Sequence, residues 1–143
     1  MSTDLSRLTA VVDDFSTIED NNERADLLIE FAESFKQVPE EIAKTPYPED
    51  RKVPGCESDV FIFTQPQEQG FKFYFGIENP QGISAMALAA IIDETLSGVS
   101  ESELKNIDDQ FVHTLFGKQL SMGKGQGLTN MIRMTKIPSQ WLS

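Results

Sequence analysis

The sequence predicts an α+β fold in which a small antiparallel β-sheet packs against several α-helices. Three observations carry this prediction. Phe71, Phe73, Phe75 and Ile77 alternate with Lys72, Tyr74 and Gly76, the two-residue period of a strand with one buried face. Val60-Phe61-Ile62-Phe63-Thr64, just upstream, has the composition of a strand, and only the polar turn from Pro66 to Gly70 separates the two runs, so they form a hairpin. On both sides of the hairpin, apolar residues recur at helical spacing.

Taken in order, Leu5, Leu8, Val12 and Phe15 mark an amphipathic helix over the first dozen or so residues after Thr3. Asp20-Asn21 offers a cap for a second helix. Its stripe is Ala25, Leu28, Ala32 and Phe35, widened by Leu27, Ile29 and Phe31, and Pro39 ends this region. Both stripes read as core. Prolines at 39, 46, 48 and 54 exclude a regular helix between them and predict a long ordered loop, with a short strand at Arg51 to Val53. Helices are expected to cover one face of the hairpin. Glu78-Asn79-Pro80-Gln81-Gly82 then breaks the strand. Ser84 is the expected cap of a third helix bearing Leu88, Ile91, Ile92 and Thr95 and ended by Gly98. Ser100-Glu101-Ser102-Glu103 matches a capping box. Asp108 or Asp109 starts another short helix with Phe111 and Leu115, closed by Gly117. Lys118 to Gly125 reads as a second loop, and the last helix runs from near Gln126 through Leu128, Met131 and Ile132 to a stop before Pro138. No repeat interrupts this order, and residues 1–143 are expected to form one domain.

Charge is unevenly spread. The net value is −11, yet all 23 acidic residues precede Phe111, and residues 111–143 carry four basic side chains and no Asp or Glu. The acidic excess argues against a nucleic-acid partner, whose phosphates need a basic footprint. Most of these carboxylates read as a solubilising surface, and the Phe residues as core rather than a base-stacking platform. No apolar run approaches the roughly 18 residues of a membrane span. The N-terminus Met1-Ser2-Thr3-Asp4 lacks the features of a secretory signal. The single cysteine fits a reducing compartment, so a cytoplasmic protein is expected. One cysteine also excludes an intramolecular disulfide and a cysteine-built zinc or iron–sulfur site within one chain; no metal and no cofactor of its own are expected.

That cysteine sits in Val53-Pro54-Gly55-Cys56-Glu57-Ser58-Asp59-Val60-Phe61. Pro54 fixes its own φ and Gly55 admits a positive one, so the pair reads as a turn that lifts Cys56 clear of regular structure, where a thiol can meet a partner's sulfur. The plainer alternative is a buried cysteine acting as a small apolar residue. If the basic C-terminal segment folds back on Cys56, it favours a thiolate or persulfide anion there. Lys124, in Gly123-Lys124-Gly125-Gln126-Gly127, is the candidate cation, and a solvated loop lysine is its plainer reading. Cys56 and the loop from Ser121 to Gly125 are therefore expected on one edge of the domain. The glycine run follows a helix and loop rather than a strand, so it is not a phosphate loop. His113, the lone histidine, reads as a surface or packing residue rather than a base.

The stretch from Val53 to Phe61 resembles the cysteine-loop signature of the SufE-type sulfur acceptors, Gly-Cys-x-Ser-x-Val followed by an aromatic. Gly123 to Ile132 is similar to a second block of that family, Ser-Arg-x-x-Gly-Leu-x-x-Met-Ile, with glycine at 123 for serine and lysine at 124 for arginine. The order of elements agrees as well, and the likeness spans nearly the whole chain. The resemblance implies a SufE- and IscU-like fold. It implies a carrier that takes sulfane sulfur from the persulfide of a pyridoxal-phosphate cysteine desulfurase of SufS type onto Cys56. Such a carrier stimulates the desulfurase and passes sulfur to an iron–sulfur scaffold of SufBCD type. It acts with the desulfurase, as monomer or homodimer, rather than as a stand-alone enzyme, and Lys124 is the carried-over basic residue. Two other readings stay open: a binding-only regulator of a desulfurase, whose cysteine is dispensable, and a single-cysteine thiol-dependent redox protein.

Overall fold

In the computed structural model, residues 4–117, 120 and 125–143 are described in full and residues 122–124 by their backbone. The hairpin lies where the alternation predicts it. Strand β1 (Asp59–Pro66) pairs antiparallel with β2 (Phe71–Glu78), placing Ile62 opposite Phe75 and Thr64 opposite Phe73. A turn closed by the Gln67 N–H on the Gly70 carbonyl, 3.0 Å, joins them. One face presents Val60, Ile62, Phe73, Phe75 and Ile77 to the main core. Lys72 and Tyr74 are only half-buried, as the period requires, and Phe71 at the strand's start is half-buried too. Lys72 pairs with Asp93.

The second face is also covered, which alternation alone does not anticipate. Phe61 and Phe63 lie buried beneath the proline-rich loop, with Tyr47 packed at 5.1 and 5.6 Å from their ring centres and Val38 beside them. The strand expected at Arg51 to Val53 is instead a 3-10 turn at Glu49–Arg51, followed by a single bridge from Lys52 to Phe61. Arg51 is turned away to donate to the carbonyls of Trp141, 2.9 Å, and Leu142, 2.6 Å, so the loop is tied to the C-terminus.

Helices α1 (Ser6–Ser16) and α2 (Asn21–Glu33) follow their stripes, with Leu8, Phe15 and Leu28 buried. Asp20 caps α2 by accepting from Asn22 N at 2.8 Å. The helix stops at Glu33, short of Pro39, because the chain must extend for the Val38 N–H to reach the Phe75 carbonyl, 2.9 Å. Helix α3 (Ser84–Leu96) is the central element: Ala87, Leu88, Ile91, Ile92 and Leu96 are all buried. Ser84 is its first residue rather than its cap; the cap position is Ile83, which has no side-chain acceptor to offer. Helix α4 (Glu101–Leu104) opens on Ser100, whose hydroxyl accepts from Glu103 N at 3.3 Å, as the capping box predicts. Then come α5 (Phe111–Phe116) and α6 (Met122–Thr135).

The start of α6 corrects the sequence reading. The predicted loop from Lys118 to Gly125 is cut short, and Gly123, Lys124 and Gly125 lie in the first turns of the helix. Glycine costs a helix about 1 kcal/mol per residue in propensity, but packing of the later, apolar part outweighs it. Leu128, Met131 and Ile132 are buried. Among the described residues, no helix is long and apolar enough to cross a membrane.

Candidate functional site

Cys56 lies on a loop whose ends are clamped as a continuation of the sheet. The Val53 N–H donates to the Val60 carbonyl at 2.7 Å. Lys52 forms an ion pair with Asp59, 3.2 Å, and Asp59 also accepts from Asn79 Nδ2, 2.9 Å. These contacts hold the Asp59 carboxyl below the usual carboxylate range, first through Asn79 and then through Lys52. Ser58 is buried, and its hydroxyl accepts from Gln81 N at 2.7 Å, fixing the loop to the segment before α3. Within this frame Gly55 adopts φ +79°, the left-handed conformation expected of the Pro-Gly turn.

The turn does not lift the thiol into solvent. Cys56 is half-buried against α6. A β-carbon added at Gly127 would stand 2.7 Å from the Gly55 carbonyl oxygen, 2.8 Å from Cys56 Cα and 2.9 Å from its Sγ, so only glycine admits this approach. Three residues along the helix, Asn130 Nδ2 donates to the Pro54 carbonyl at 2.8 Å. Beside the sulfur lies a narrow cleft of about 20 Å³, whose lining includes Cys56, Glu57, Ser58, Ala85, Gly127 and Leu128. That is about the room one water-sized group needs. Burial pushes the Cys56 thiol from its ordinary value of 9.0 up to about 11. Among the described residues no basic side chain offsets this loss of solvent; the cation expected to favour a thiolate, the side chain of Lys124, lies outside them. The residues of α6 that meet the cysteine loop are Gln126, Gly127 and Asn130, just beyond the Ser121 to Gly125 stretch expected there. Ser121 and the side chain of Lys124 lie outside the described residues; the Lys124 backbone is one helical turn before Gly127. His113 is exposed on α5, as predicted.

The SufE family pattern, described as an Fe-S metabolism associated domain, matches residues 9–137. The chain belongs to the SufE family. An uncharacterized SufE-like protein of Rhizobium meliloti (strain 1021) is 28% identical over 142 residues, covering 95% of this chain and 96% of its own. A second SufE-like protein, from Rhizobium etli, is 26% identical over 132 residues, 90% of this chain and 86% of the relative. The solution structure of a hypothetical protein from Thermus thermophilus superposes with a TM-score of 0.76 over 96% of each chain at 17% identity, a likeness of fold.

Against this SufE background, sequence reasoning finds Cys56 and misses the residues that hold it. Gly127 reads in the sequence as one more glycine of a Gly-rich run, and Asn130, Ser58 and Gln81 receive no part. A signal is present: Gly127 and Asn130 are three apart, the spacing that puts two residues on one helix face. It stays hidden because both residues fall in the predicted last helix, and a shared helix face does not say which distant loop it meets.

Proposed function

We propose that this SufE-family protein carries sulfane sulfur on Cys56, receiving it from a cysteine desulfurase, stimulating that enzyme, and delivering the sulfur to an iron–sulfur scaffold. The observation that carries the reading is the apposition of the two family blocks: the cysteine loop is hydrogen-bonded to α6 beside a cleft with room for about one further atom. In the transfer step the Cys56 thiolate attacks the outer sulfur of the donor persulfide. A new S–S bond forms to Cys56, the donor's S–S bond breaks, and the donor cysteine leaves as thiolate. The step needs no external oxidant, and the pyridoxal phosphate that generates the donor persulfide belongs to the desulfurase.

A thiol at about 11 is almost wholly protonated near neutral pH. On this reading docking of the desulfurase draws the half-buried Cys56 out of its narrow cleft and restores solvent or a cation to the sulfur. Pro54, Gly55 and Glu57 at the loop's tip are exposed, so a partner can grip it. Lys124 is assigned the role of anion stabiliser, on its place one turn before Gly127 and on the net positive charge of residues 111–143. A SufS-type desulfurase and a SufBCD-type scaffold are the partners this reading takes, in the reducing cytoplasm that a lone thiol suits.

Intact mass after incubation with a cysteine desulfurase and cysteine tests the reading. A reductant-sensitive gain of at least one sulfur atom is expected in the wild type and none in Cys56→Ser. No gain with an active desulfurase sinks it. The protonated, half-buried thiol also suits a binding-only regulator; that reading stands instead if Cys56→Ser stimulates the desulfurase as well as wild type does.

A further inference from the structure

The ends of the cysteine loop are held by backbone pairing and by Ser58, but its tip is not. Among the described residues, the one side-chain hydrogen bond that reaches Pro54 to Glu57 comes from Asn130. Its Nδ2 donates to the Pro54 carbonyl at 2.8 Å and lies 3.4 Å from where a Gly55 side chain would begin. Gly127, on the same face of α6, gives the sulfur nothing to hold: it only leaves space. The contact to Asn130 is therefore the tie that opening of the tip must break.

We propose that Asn130 is the latch of the cysteine loop: its amide holds the Pro54 carbonyl and so sets how often Cys56 leaves its cleft, making it a positioning residue for sulfur uptake. The inference deepens the acceptor reading and rests on it for its purpose, though not for its test. The bond is between neutral groups and solvent-exposed, enough to favour the closed loop and weak enough for a docking partner to break. Asparagine suits the place because it donates without carrying charge. Aspartate has nearly the same shape but near neutral pH can only accept, and would set a carboxylate oxygen against a carbonyl oxygen.

The test is the rate at which iodoacetamide alkylates Cys56 in the full chain, followed by mass at several pH values. Asn130→Ala should react about fivefold faster near pH 8, the change that loss of one neutral hydrogen bond gives an opening equilibrium. Its rate–pH midpoint should fall towards that of an ordinary thiol. Asn130→Asp should react at least as fast. That variant separates a latch from mere space-filling, which it would preserve, and it decides the matter if Asn130→Ala does not fold. Faster deuterium exchange confined to residues 53–60 should accompany both changes. Alkylation rates within twofold of wild type in the folded variants overturn the latch. Because alkylation involves no desulfurase, that failure is distinct from a failure of the wild type to take up sulfur, which overturns the acceptor reading alone.

Discussion

At the scale of single residues, Cys56 and Gly127 define each other. A side chain at 127 would meet backbone atoms of Gly55 and Cys56 under 3.0 Å, and backbone cannot turn aside as a flexible side chain can. Gly127→Ala should therefore cost about 1–3 kcal/mol in urea denaturation, and the displaced loop should make Cys56 alkylate faster. The raised thiol value has its own consequence for stability. The folded state keeps the proton to higher pH than the unfolded chain does, so the favourable term is complete below about 9.0 and is lost as pH rises to about 11. Wild type should lose more stability than Cys56→Ser between those values; parallel curves for the two proteins would contradict the burial of the thiol.

At the scale of elements, the hairpin and α6 form the two walls between which the loop is hung. Phe73 is fully buried where β2 meets α3, and Phe73→Ala should cost about 3–5 kcal/mol. Its neighbour Lys72 is half-buried and makes a partly solvated pair with Asp93, so Lys72→Ala should cost about 1 kcal/mol or less. Similar losses for the two variants would mean that the faces of β2 are misassigned. The start of α6 matters in another way. Because the helix begins at Met122, Lys124 is carried on a regular turn with a fixed offset from Gly127. Lys124→Glu should slow sulfur loading and weaken desulfurase binding while leaving the denaturation midpoint unchanged; wild-type loading and binding would remove Lys124 from the mechanism.

At the scale of the molecule, helix ends are stitched together by arginines distant in sequence. Arg24 donates to the carbonyls of Phe15 and Ile18 at the end of α1 and to those of Thr114 and Leu115 in α5. Arg7 caps the end of α3 through the carbonyls of Glu94 and Ser97. Arg24→Ala leaves several carbonyls of two helix ends without their cation, and about 2–3 kcal/mol should be lost, measured by urea denaturation at neutral pH. A loss below about 0.5 kcal/mol would show that water replaces the guanidinium at no cost.

The elements and the reactive residue were legible in the chain because their signals are local. Alternation from Phe71 to Ile77 marks a strand, Ser100 and Glu103 mark a helix start, and a Pro-Gly turn before Cys56 marks a loop. These depend on neighbours a few residues away, and the structure returned them with shifted ends. The environment of the thiol was not legible. Its burial comes from Gly127, its tether from Asn130, and the second cover of the sheet from Tyr47, all distant in the chain from what they touch. Glycine reads in sequence as a breaker of helices and acts here, at 127, as the space that lets a helix meet a loop. Only the packed fold decides which of the two it is, since propensity is worth about 1 kcal/mol and the burial of three neighbouring apolar side chains several times that.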